Sequence, residues 1–292
     1  MSVPISIITP SFHRDFESCR LLCETMDAHA TGFADHYLVV TSDDRKLFTQ
    51  LAGPRRHIVV EQDILQAKLY PIPFKWKGRR YQWLPGARPV FGWHIQQVLK
   101  FAMALAQPNQ RVMFIDSDNF FVRPFDVAAF GGGETIPLQL DRGAIVPSET
   151  AHVSWLRTAH QLLGLEAPQL PADDFIGNMI VWDAAIVRQI LDRVETINGV
   201  PWWTALLRAR DFSEYMIYGT AVSADPEFMR RHEAMTTHPC LSYWEGPPLD
   251  EAGLRAFASR MRPDQSALGV QSFVGTPIGL LRDFALSEGA FA

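Results

Sequence analysis

The chain has 292 residues, of which 47% are hydrophobic and 20% are charged, and this composition excludes a disordered or low-complexity protein. Its formal net charge of −5 argues against a general nucleic-acid-binding protein, whose surface would be basic. Three cysteines are too few for a disulfide framework, so a reducing compartment is expected. The first residues read as a strand and not as a leader peptide, and we find no apolar run of the roughly 18 residues that would span a bilayer. We therefore expect a cytoplasmic protein without a membrane span.

The first 60 residues alternate between apolar strands and amphipathic helices. The predicted order is a strand at 5–8, a helix at 16–29, a strand at 36–40, a helix at 45–51 and a strand at 57–60. Ser42 or Asp43 is expected to cap the second helix. Cys19 and Cys23 are expected to fill the core beneath the first helix. Strand–helix–strand alternation at this spacing predicts a parallel α/β sheet.

A basic segment interrupts this alternation. Residues 74–83 alternate around a Lys-Gly pair and predict a β-hairpin. We find no acidic residue between Ile64 and Val90, where the basic residues are Lys68, Lys75, Lys77, Arg79, Arg80 and Arg88. The segment is either a solvated hairpin or a rim that faces an anionic substrate.

The second half is more mixed. The predicted elements are a helix at 93–106, a strand at 111–115, a helix at 153–163, a strand at 179–182, helices at 184–196 and 201–221, and a last helix at 251–261 that precedes a tail. The sequence contains no evident repeat or linker, so a single domain over residues 1–292 is expected.

The most informative feature is Asp116-Ser117-Asp118, which directly follows the apolar strand at 111–115. On an extended chain, residues i and i+2 face the same side, so the two carboxylates are expected to converge. Two negative charges at such a short distance are energetically costly unless a cation neutralises them. Carboxylate oxygens are suitable ligands for Mg²⁺ or Mn²⁺. The alternative is that both aspartates cap a turn. The carboxyl end of a central strand is where α/β sheets bind ligands.

The strand, Asp116-Ser117-Asp118 and the following Phe-Val-Arg-Pro-Phe-Asp at 121–126 together resemble nucleotide-sugar-dependent glycosyltransferases of the GT-A fold. The resemblance spans about residues 6–244 and is greatest to a bacterial branch related to the lipopolysaccharide galactosyltransferase and glycogenin type. It implies a GT-A-like, Rossmann-related α/β fold with a mixed, mainly parallel central sheet flanked by helices. Residues 1–125 would bind the nucleotide sugar and residues 126–292 the acceptor.

The resemblance also implies site residues. Asp118 would bind a divalent metal, Mn²⁺ or Mg²⁺, Asp116 would reach the metal or the ribose, and His238 would be a third ligand. The residues expected to contact a UDP- or GDP-linked sugar are Thr9, Ser11, Arg14, Asp43, Gln97, Lys100, Asp116 and Asn178. Asp44 is the alternative to Asp43.

Two acidic residues are candidates for catalysis on the acceptor side. Glu214 or Asp174 would hold donor-sugar hydroxyls or remove the proton of the acceptor hydroxyl. The acceptor itself would be a carbohydrate, a lipid-linked molecule or another hydroxyl compound. Four aromatic residues either stack on sugar rings or belong to the core, and these are Trp202, Trp203, Tyr243 and Trp244.

Three other functions compete with a glycosyltransferase. A nucleotidyltransferase that makes the sugar nucleotide would need a Gly-rich loop with Arg or Lys after the first strand, and Ser11-Phe12-His13-Arg14 does not have this pattern. A non-catalytic nucleotide-sugar-binding protein would keep the metal site without the catalytic acid. A phosphatase of the haloacid-dehalogenase type also has an apolar strand followed by Asp-X-Asp. Its aspartates usually lie near the N-terminus and precede Gly-Thr, whereas Asp118 precedes Asn119-Phe120.

Overall fold

The computed structural model describes residues 3–65, 69–76, 79–107, 110–209 and 211–289, without the side chains of residues 75, 76, 79 and 80. Its α-helices are α1 (Phe16–His29), α2 (Arg45–Phe48), α3 (Glu61–Ile64), α4 (Gly92–Leu105), α5 (Val127–Gly131), α6 (Thr150–Leu163), α7 (Ala184–Asn198), α8 (Trp202–Arg208), α9 (Glu214–Ala224), α10 (Pro226–Met229), α11 (Glu251–Ala258) and α12 (Ile278–Ser287). Short 3₁₀ helices lie at His13–Asp15, Thr49–Leu51 and Ser272–Val274. None of the described helices combines the length and the apolar character that a membrane crossing requires.

The strands are mostly short. They are β1 (Ile5–Pro10), β2 (Ala30–Thr31), β3 (His36–Val40), β4 (Arg56–Val60), β5 (Tyr70–Trp76), β6 (Arg79–Trp83), β7 (Val90–Phe91), β8 (Arg111–Phe114), β9 (Asn119–Phe121), β10 (Phe125–Asp126), β11 (Ile136–Gln139), β12 (Asp141–Ile145), β13 (Ala172–Asp174), β14 (Ile180–Asp183), β15 (His232–Met235), β16 (Cys240–Tyr243) and β17 (Ala267–Val270).

A five-stranded central sheet has the order β14-β8-β1-β3-β4. Strands β8, β1, β3 and β4 are parallel to their neighbours, and β14 lies antiparallel at the edge beside β8. The predicted mixed, mainly parallel α/β sheet is therefore confirmed. From β1 the chain builds β3 and β4 on one side and then returns to place β8 on the other side. The order thus reverses between β1 and β8.

Both faces of the sheet are buried, and the strand residues alternate between them. In β8, Val112 and Phe114 pack into one apolar cluster, while Met113 packs into another together with Ile115, which directly follows the strand. The first cluster includes residues of α4, α6, α7, α8 and α9, and the second includes residues of α1. Because a strand with helices on both faces buries successive side chains on either side, residues 112–115 form a continuous hydrophobic run without polar alternation.

Several sequence predictions for single elements are confirmed. Helix α1 occupies the predicted residues, and Cys19 and Cys23 are buried beneath it. Strands β5 and β6 form the predicted antiparallel hairpin, although its Lys77-Gly78 turn and Lys68 lie outside the described residues. The predicted cap of α2 is wrong. Its N-cap residue is Asp44, and the Asp44 carboxylate instead accepts a hydrogen bond from the backbone of His13.

The C-terminal segment is ordered, contrary to the prediction of a tail after residue 261. Strand β17 lies between β16 and β9, and helix α12 packs Leu281 and Phe284 against Leu21 of α1. The four residues of β17 are too few for a recognisable periodicity, but all four are buried. Their pairing with β9 brings the C-terminal segment close to the turn at Asp116-Ser117-Asp118.

Candidate functional site

The candidate site lies where β1 and β8 end. These neighbouring parallel strands present their carboxyl ends at the same edge of the sheet, at the point where the strand order reverses. In open α/β sheets, ligands bind in the crevice outside this point. Ser11 to Asp15 follow β1, and Asp116 to Asp118 follow β8. The structure therefore brings the two predicted donor-binding segments to one edge.

Asp116-Ser117-Asp118 forms a turn and not the extended chain expected from the sequence. The side chain and the backbone N–H of Asn119 both donate to the carbonyl oxygen of Asp116, at 3.0 Å and 3.2 Å. The two carboxylates consequently contact different groups. Asp116 lies beside Lys100, and Asp118 lies beside Ser272.

Lys100 on α4 is almost completely buried, with an exposed fraction of 6%. Its ammonium lies 3.1 Å from Oδ1 of Asp116, 2.8 Å from Oε1 of Glu214 and 2.9 Å from Oη of Tyr215. An ammonium has three N–H donors, so these three oxygen atoms occupy all of them. Burial opposes the charge, but the carboxylates of Asp116 and Glu214 outweigh it and hold the pKa of Lys100 well above its usual value.

Gln97 lies one turn before Lys100 on α4 and is also buried. Its Oε1 accepts a hydrogen bond of 3.1 Å from the backbone N–H of Glu214, the first residue of α9. Gln97 therefore orients the start of α9, and Lys100 pairs with the Glu214 side chain. The two residues, expected to face the donor, instead connect α4 to α9.

Asp118 has one satisfied and one unsatisfied carboxylate oxygen. Oδ2 accepts a hydrogen bond of 3.0 Å from the backbone N–H of Ser272, whereas Oδ1 is buried without a hydrogen-bond partner among the described residues. Burial, followed by the charges of Asp116 and Asp15, raises the pKa of Asp118 to about 7. Such an oxygen requires either a proton or a cation.

Asp15, which is not among the residues predicted from the sequence, belongs to the same group of carboxyls. Burial raises its pKa, and Asp116 adds to this effect, whereas a hydrogen bond from Ser272 and the charges of His13 and Arg14 oppose it. Ser272 thus contacts both Asp15 and Asp118. The signal that could have identified Asp15 is its position in the loop after β1.

The described residues contain no group of three or more His, Cys, Asp or Glu side chains arranged to hold a metal ion. His238, the predicted third ligand, lies 3.2 Å from Oδ1 of Asp141 and 3.4 Å from the amide of Gln139. The described contacts do not join His238 to Asp116 or Asp118. A cation at the aspartates would therefore need further oxygen ligands from water or from a bound molecule.

Asn178 stabilises the turn through a hydrogen bond with Asn119. Its Oδ1 accepts a hydrogen bond of 3.3 Å from Asn119, and its Nδ2 donates to Ser242 at 2.8 Å. Asn178 is buried, so its predicted contact with the donor would act through the turn. Ser242 was not predicted, because it belongs to the short strand β16, which carries no motif.

The other predicted donor-binding residues divide into buried and exposed ones. Thr9 is buried and its hydroxyl lies 3.0 Å from Nε2 of His36, and Ser11 is buried as well. Arg14 and Asp43 are exposed at the loops after β1 and β3. Arg14 is therefore the predicted cation that remains accessible at this edge.

Asp174, the alternative catalytic acid, lies in a different environment from Glu214. One of its oxygens lies 2.5 Å from Nδ1 of His152, and the other accepts the backbone N–H of Ile176. The hydrogen bond to Asp174 is the main cause that raises the pKa of His152. The described contacts do not link Asp174 to Lys100 or Asp116, so Glu214 is the predicted acid that lies at the aspartate turn.

The predicted stacking aromatics are also separated. Trp202 is buried in the core beside Phe101, and Trp203 is half-buried against it. Tyr243 is half-buried and donates to the carbonyl of Pro247. Trp244 is 42% exposed. Trp202 therefore stabilises the core and does not present a free face.

Comparison with protein families places the chain in one of them. The model of DUF6492, described as a family of unknown function, matches residues 2–251, and the chain belongs to this family. A search of curated proteins found no match.

Proposed function

We propose that the protein is a metal-dependent glycosyltransferase of the GT-A type, which moves a sugar from a nucleoside diphosphate sugar to an acceptor hydroxyl. The observation that carries this proposal is the pair Asp116 and Asp118, which follows β8 at the edge of the sheet where the strand order reverses between β8 and β1. Asp118 there keeps a buried oxygen without a hydrogen-bond partner among the described residues.

The donor set fits Mg²⁺ or Mn²⁺. Mg²⁺ commonly binds proteins through one or two carboxylates and completes its coordination with water and substrate phosphates. Asp118 would bind the ion through its unpartnered oxygen, and Asp116 would lie beside it. When bound, the ion supplies positive charge that stabilises the departing nucleoside diphosphate.

Each nearby side chain has a separate task under this proposal. Lys100 positions Asp116, because its three N–H donors are occupied by Asp116, Glu214 and Tyr215. Arg14, exposed after β1, is the accessible cation for the nucleotide or its phosphates. Glu214 holds donor-sugar hydroxyls or takes the proton of the acceptor hydroxyl, and Asp174 is the alternative.

A non-catalytic nucleotide-sugar-binding protein is the second candidate. The observation that favours it is that both acidic candidates have partners. Glu214 pairs with Lys100, and Asp174 pairs with His152. In such a protein, the aspartate turn would bind the nucleotide sugar without sugar transfer.

Calorimetry with UDP- and GDP-linked sugars, each with Mn²⁺ and with EDTA, tests the proposal. We expect binding of at least one donor that depends on Mn²⁺ and is lost in Asp118→Ala. The matched control is Asp192→Ala, an exposed position on α7. If no nucleotide sugar binds, the proposal is wrong.

A donor hydrolysis assay separates the two candidates. Slow release of nucleoside diphosphate that falls in Glu214→Gln, with unchanged donor affinity, supports the transferase. Donor binding without release or transfer supports the binding protein. Release of inorganic phosphate from a phosphomonoester would instead support the phosphatase.

A further inference from the structure

An aromatic cleft of about 660 Å³ opens beside the amino-terminal end of α4. The cleft is lined by Phe91 and Trp93, by Thr150, Ser154 and Trp155 of α6, and by Asp211 before α9. None of these lining residues is among the site residues predicted from the sequence.

The aromatic rings form a broad wall. The ring centroids of Trp93 and Trp155 are 5.7 Å apart, and Phe91 stacks on Trp93 at 6.4 Å with an interplanar angle of 22°. His152 does not line the cleft but contacts Trp155, with the ring centroids 4.7 Å apart. Trp93 is 38% exposed, so part of this large apolar surface faces the cleft.

Hydrogen-bonding groups lie next to the rings. Ser154 donates to Oδ2 of Asp211 at 3.3 Å, and Thr150 is exposed at the start of α6. A sugar ring has an apolar face of C–H groups and a rim of hydroxyls, so it requires an aromatic surface bordered by polar groups. The chemistry of the cleft matches this pattern, in which a few polar groups orient a ligand on an aromatic wall.

The cleft is connected to the aspartate turn through α4. Trp93, Gln97 and Lys100 are spaced along one side of this helix, and a rise of 1.5 Å per residue places Trp93 about 10 Å before Lys100. The amide of Gln97 donates to the carbonyl of Trp93 at 3.5 Å and accepts from the backbone of Glu214. Glu214 thus starts its helix between the cleft and the turn.

We infer that this cleft binds a saccharide and is the acceptor subsite of the protein. The assignment of the saccharide as the acceptor rests on the proposed function. Among the possible hydroxyl acceptors, the inference favours a molecule that carries a sugar. Trp93 and Trp155 contact the ring face, and Ser154 and Asp211 contact its hydroxyls.

Saccharide binding by the full-length protein tests the inference. The probes are the methyl glycosides of glucose, galactose and mannose with maltose, lactose and cellobiose, measured by ligand-observed NMR and calorimetry without donor. We expect at least one probe to bind, and its Kd to rise tenfold or more in Trp93→Ala and in Ser154→Ala. Trp93→Phe should keep part of the affinity. The control is Leu286→Ala, which removes an exposed large apolar side chain that lies outside the cleft.

Several outcomes would overturn the saccharide assignment. They are no binding of any probe, unchanged Kd in both cleft variants, an equal loss in Leu286→Ala, or binding of octyl glucoside without binding of methyl glucoside, which would indicate an apolar chain. Circular dichroism verifies that each variant folds. If saccharides bind through Trp93 while no nucleotide sugar binds, the proposed function fails and the saccharide site stands. If a donor binds while the cleft variants bind saccharides normally, only the cleft assignment fails.

Discussion

Lys100 and Glu214 form a buried ion pair, with Nζ 2.8 Å from Oε1 and exposed side-chain fractions of 7% and 5%. The pair joins the helix that precedes the aspartate strand to a helix of the second half of the chain. Since Lys100 also contacts Asp116 at 3.1 Å, the position of the aspartate turn depends on this connection.

Replacing Lys100 with Met should strongly destabilise the protein. The substitution leaves Glu214 and Asp116 without their cation, and removal of one partner from a buried pair costs about 3 to 5 kcal/mol. Urea unfolding of Lys100→Met measures this loss. Lys46→Met, at an exposed position on α2, is the control and should be within about 0.5 kcal/mol of the parent.

A double-mutant cycle isolates the pair itself. Glu214→Gln should cost clearly less in the Lys100→Met background than in the parent, because the charge that it removes has already lost its partner. Additive losses would show that Lys100 and Glu214 do not interact energetically.

Asp118→Asn should stabilise the metal-free protein at neutral pH by about 1 kcal/mol. Functional sites often keep groups that reduce stability, and an uncharged amide replaces such a group here. The substitution removes a buried carboxyl whose pKa is raised by burial and by Asp116 and Asp15. Mn²⁺ should raise the melting temperature of the parent, with reversal by EDTA, but not that of Asp118→Asn. Cation binding at a hundred times its Kd would add about 2.7 kcal/mol.

Thermal melts with increasing Mn²⁺, with and without UDP or GDP, check this prediction. The nucleotide should enlarge the response, because the protein itself supplies few ligands to the ion. Asp192→Asn should behave like the parent. An equal rise of the melting temperature with Mn²⁺ in Asp118→Asn would show that the cation does not bind at the turn.

The part of the site that could be predicted from sequence is local. An apolar run followed by two aspartates identifies a buried strand and the turn at its carboxyl end, because both depend on adjacent residues. The assumption of an extended chain through Asp116-Ser117-Asp118 was wrong, since the hydrogen bonds from Asn119 close a turn there.

The part that could not be predicted depends on contacts between distant segments. Nothing in the periodicity of α4 indicates that Lys100 is buried, because its partner Glu214 lies on another helix. The contacts of Ser272 with Asp15 and Asp118 were missed for the same reason, and Ser272 lies in the segment predicted as a tail. Likewise, the exposure of Trp93 follows from how α4 and α6 pack.

Gly219→Ala should destabilise the protein by about 1 to 3 kcal/mol through overpacking. A Cβ atom on Gly219, within α9, would lie 2.1 Å from the ring of the buried Phe175. Phe175 directly follows Asp174 in the chain, so displacement of the Phe175 ring should also disturb the contact between Asp174 and His152. Chemical unfolding gives the stability change, and the NMR titration of His152 reports the local effect.

Gly279→Ala is the matched control, since Gly279 also lies in a helix and its added Cβ would meet nothing within 4 Å. This substitution should stabilise the protein by roughly 0.5 to 1 kcal/mol, because alanine has a higher helix propensity than glycine. Combining Gly219→Ala with Phe175→Leu should recover part of the loss. No recovery would show that the ring is not the source of the strain.

Glu61 should make stability depend on pH between about 4.5 and 7. Burial, followed by the charges of Asp44 and Asp43, raises the pKa of Glu61 from 4.5 to about 7. In this interval the folded protein keeps a proton that the unfolded chain releases, so the contribution of Glu61 to stability falls as the pH rises. Above pH 7 both states are ionised, and the difference stays constant.

Glu61→Gln keeps the side chain uncharged and should remove this dependence. The variant should unfold like the parent near pH 4.5 and exceed its free energy of unfolding by about 1 to 2 kcal/mol at pH 7.5, after allowance for the partial exposure of the group. Urea unfolding at a series of pH values measures both curves. Glu245→Gln, at an exposed position, should follow the parent throughout. Parallel curves for the parent and Glu61→Gln would show that the folded protein does not hold a proton on Glu61 in this pH interval.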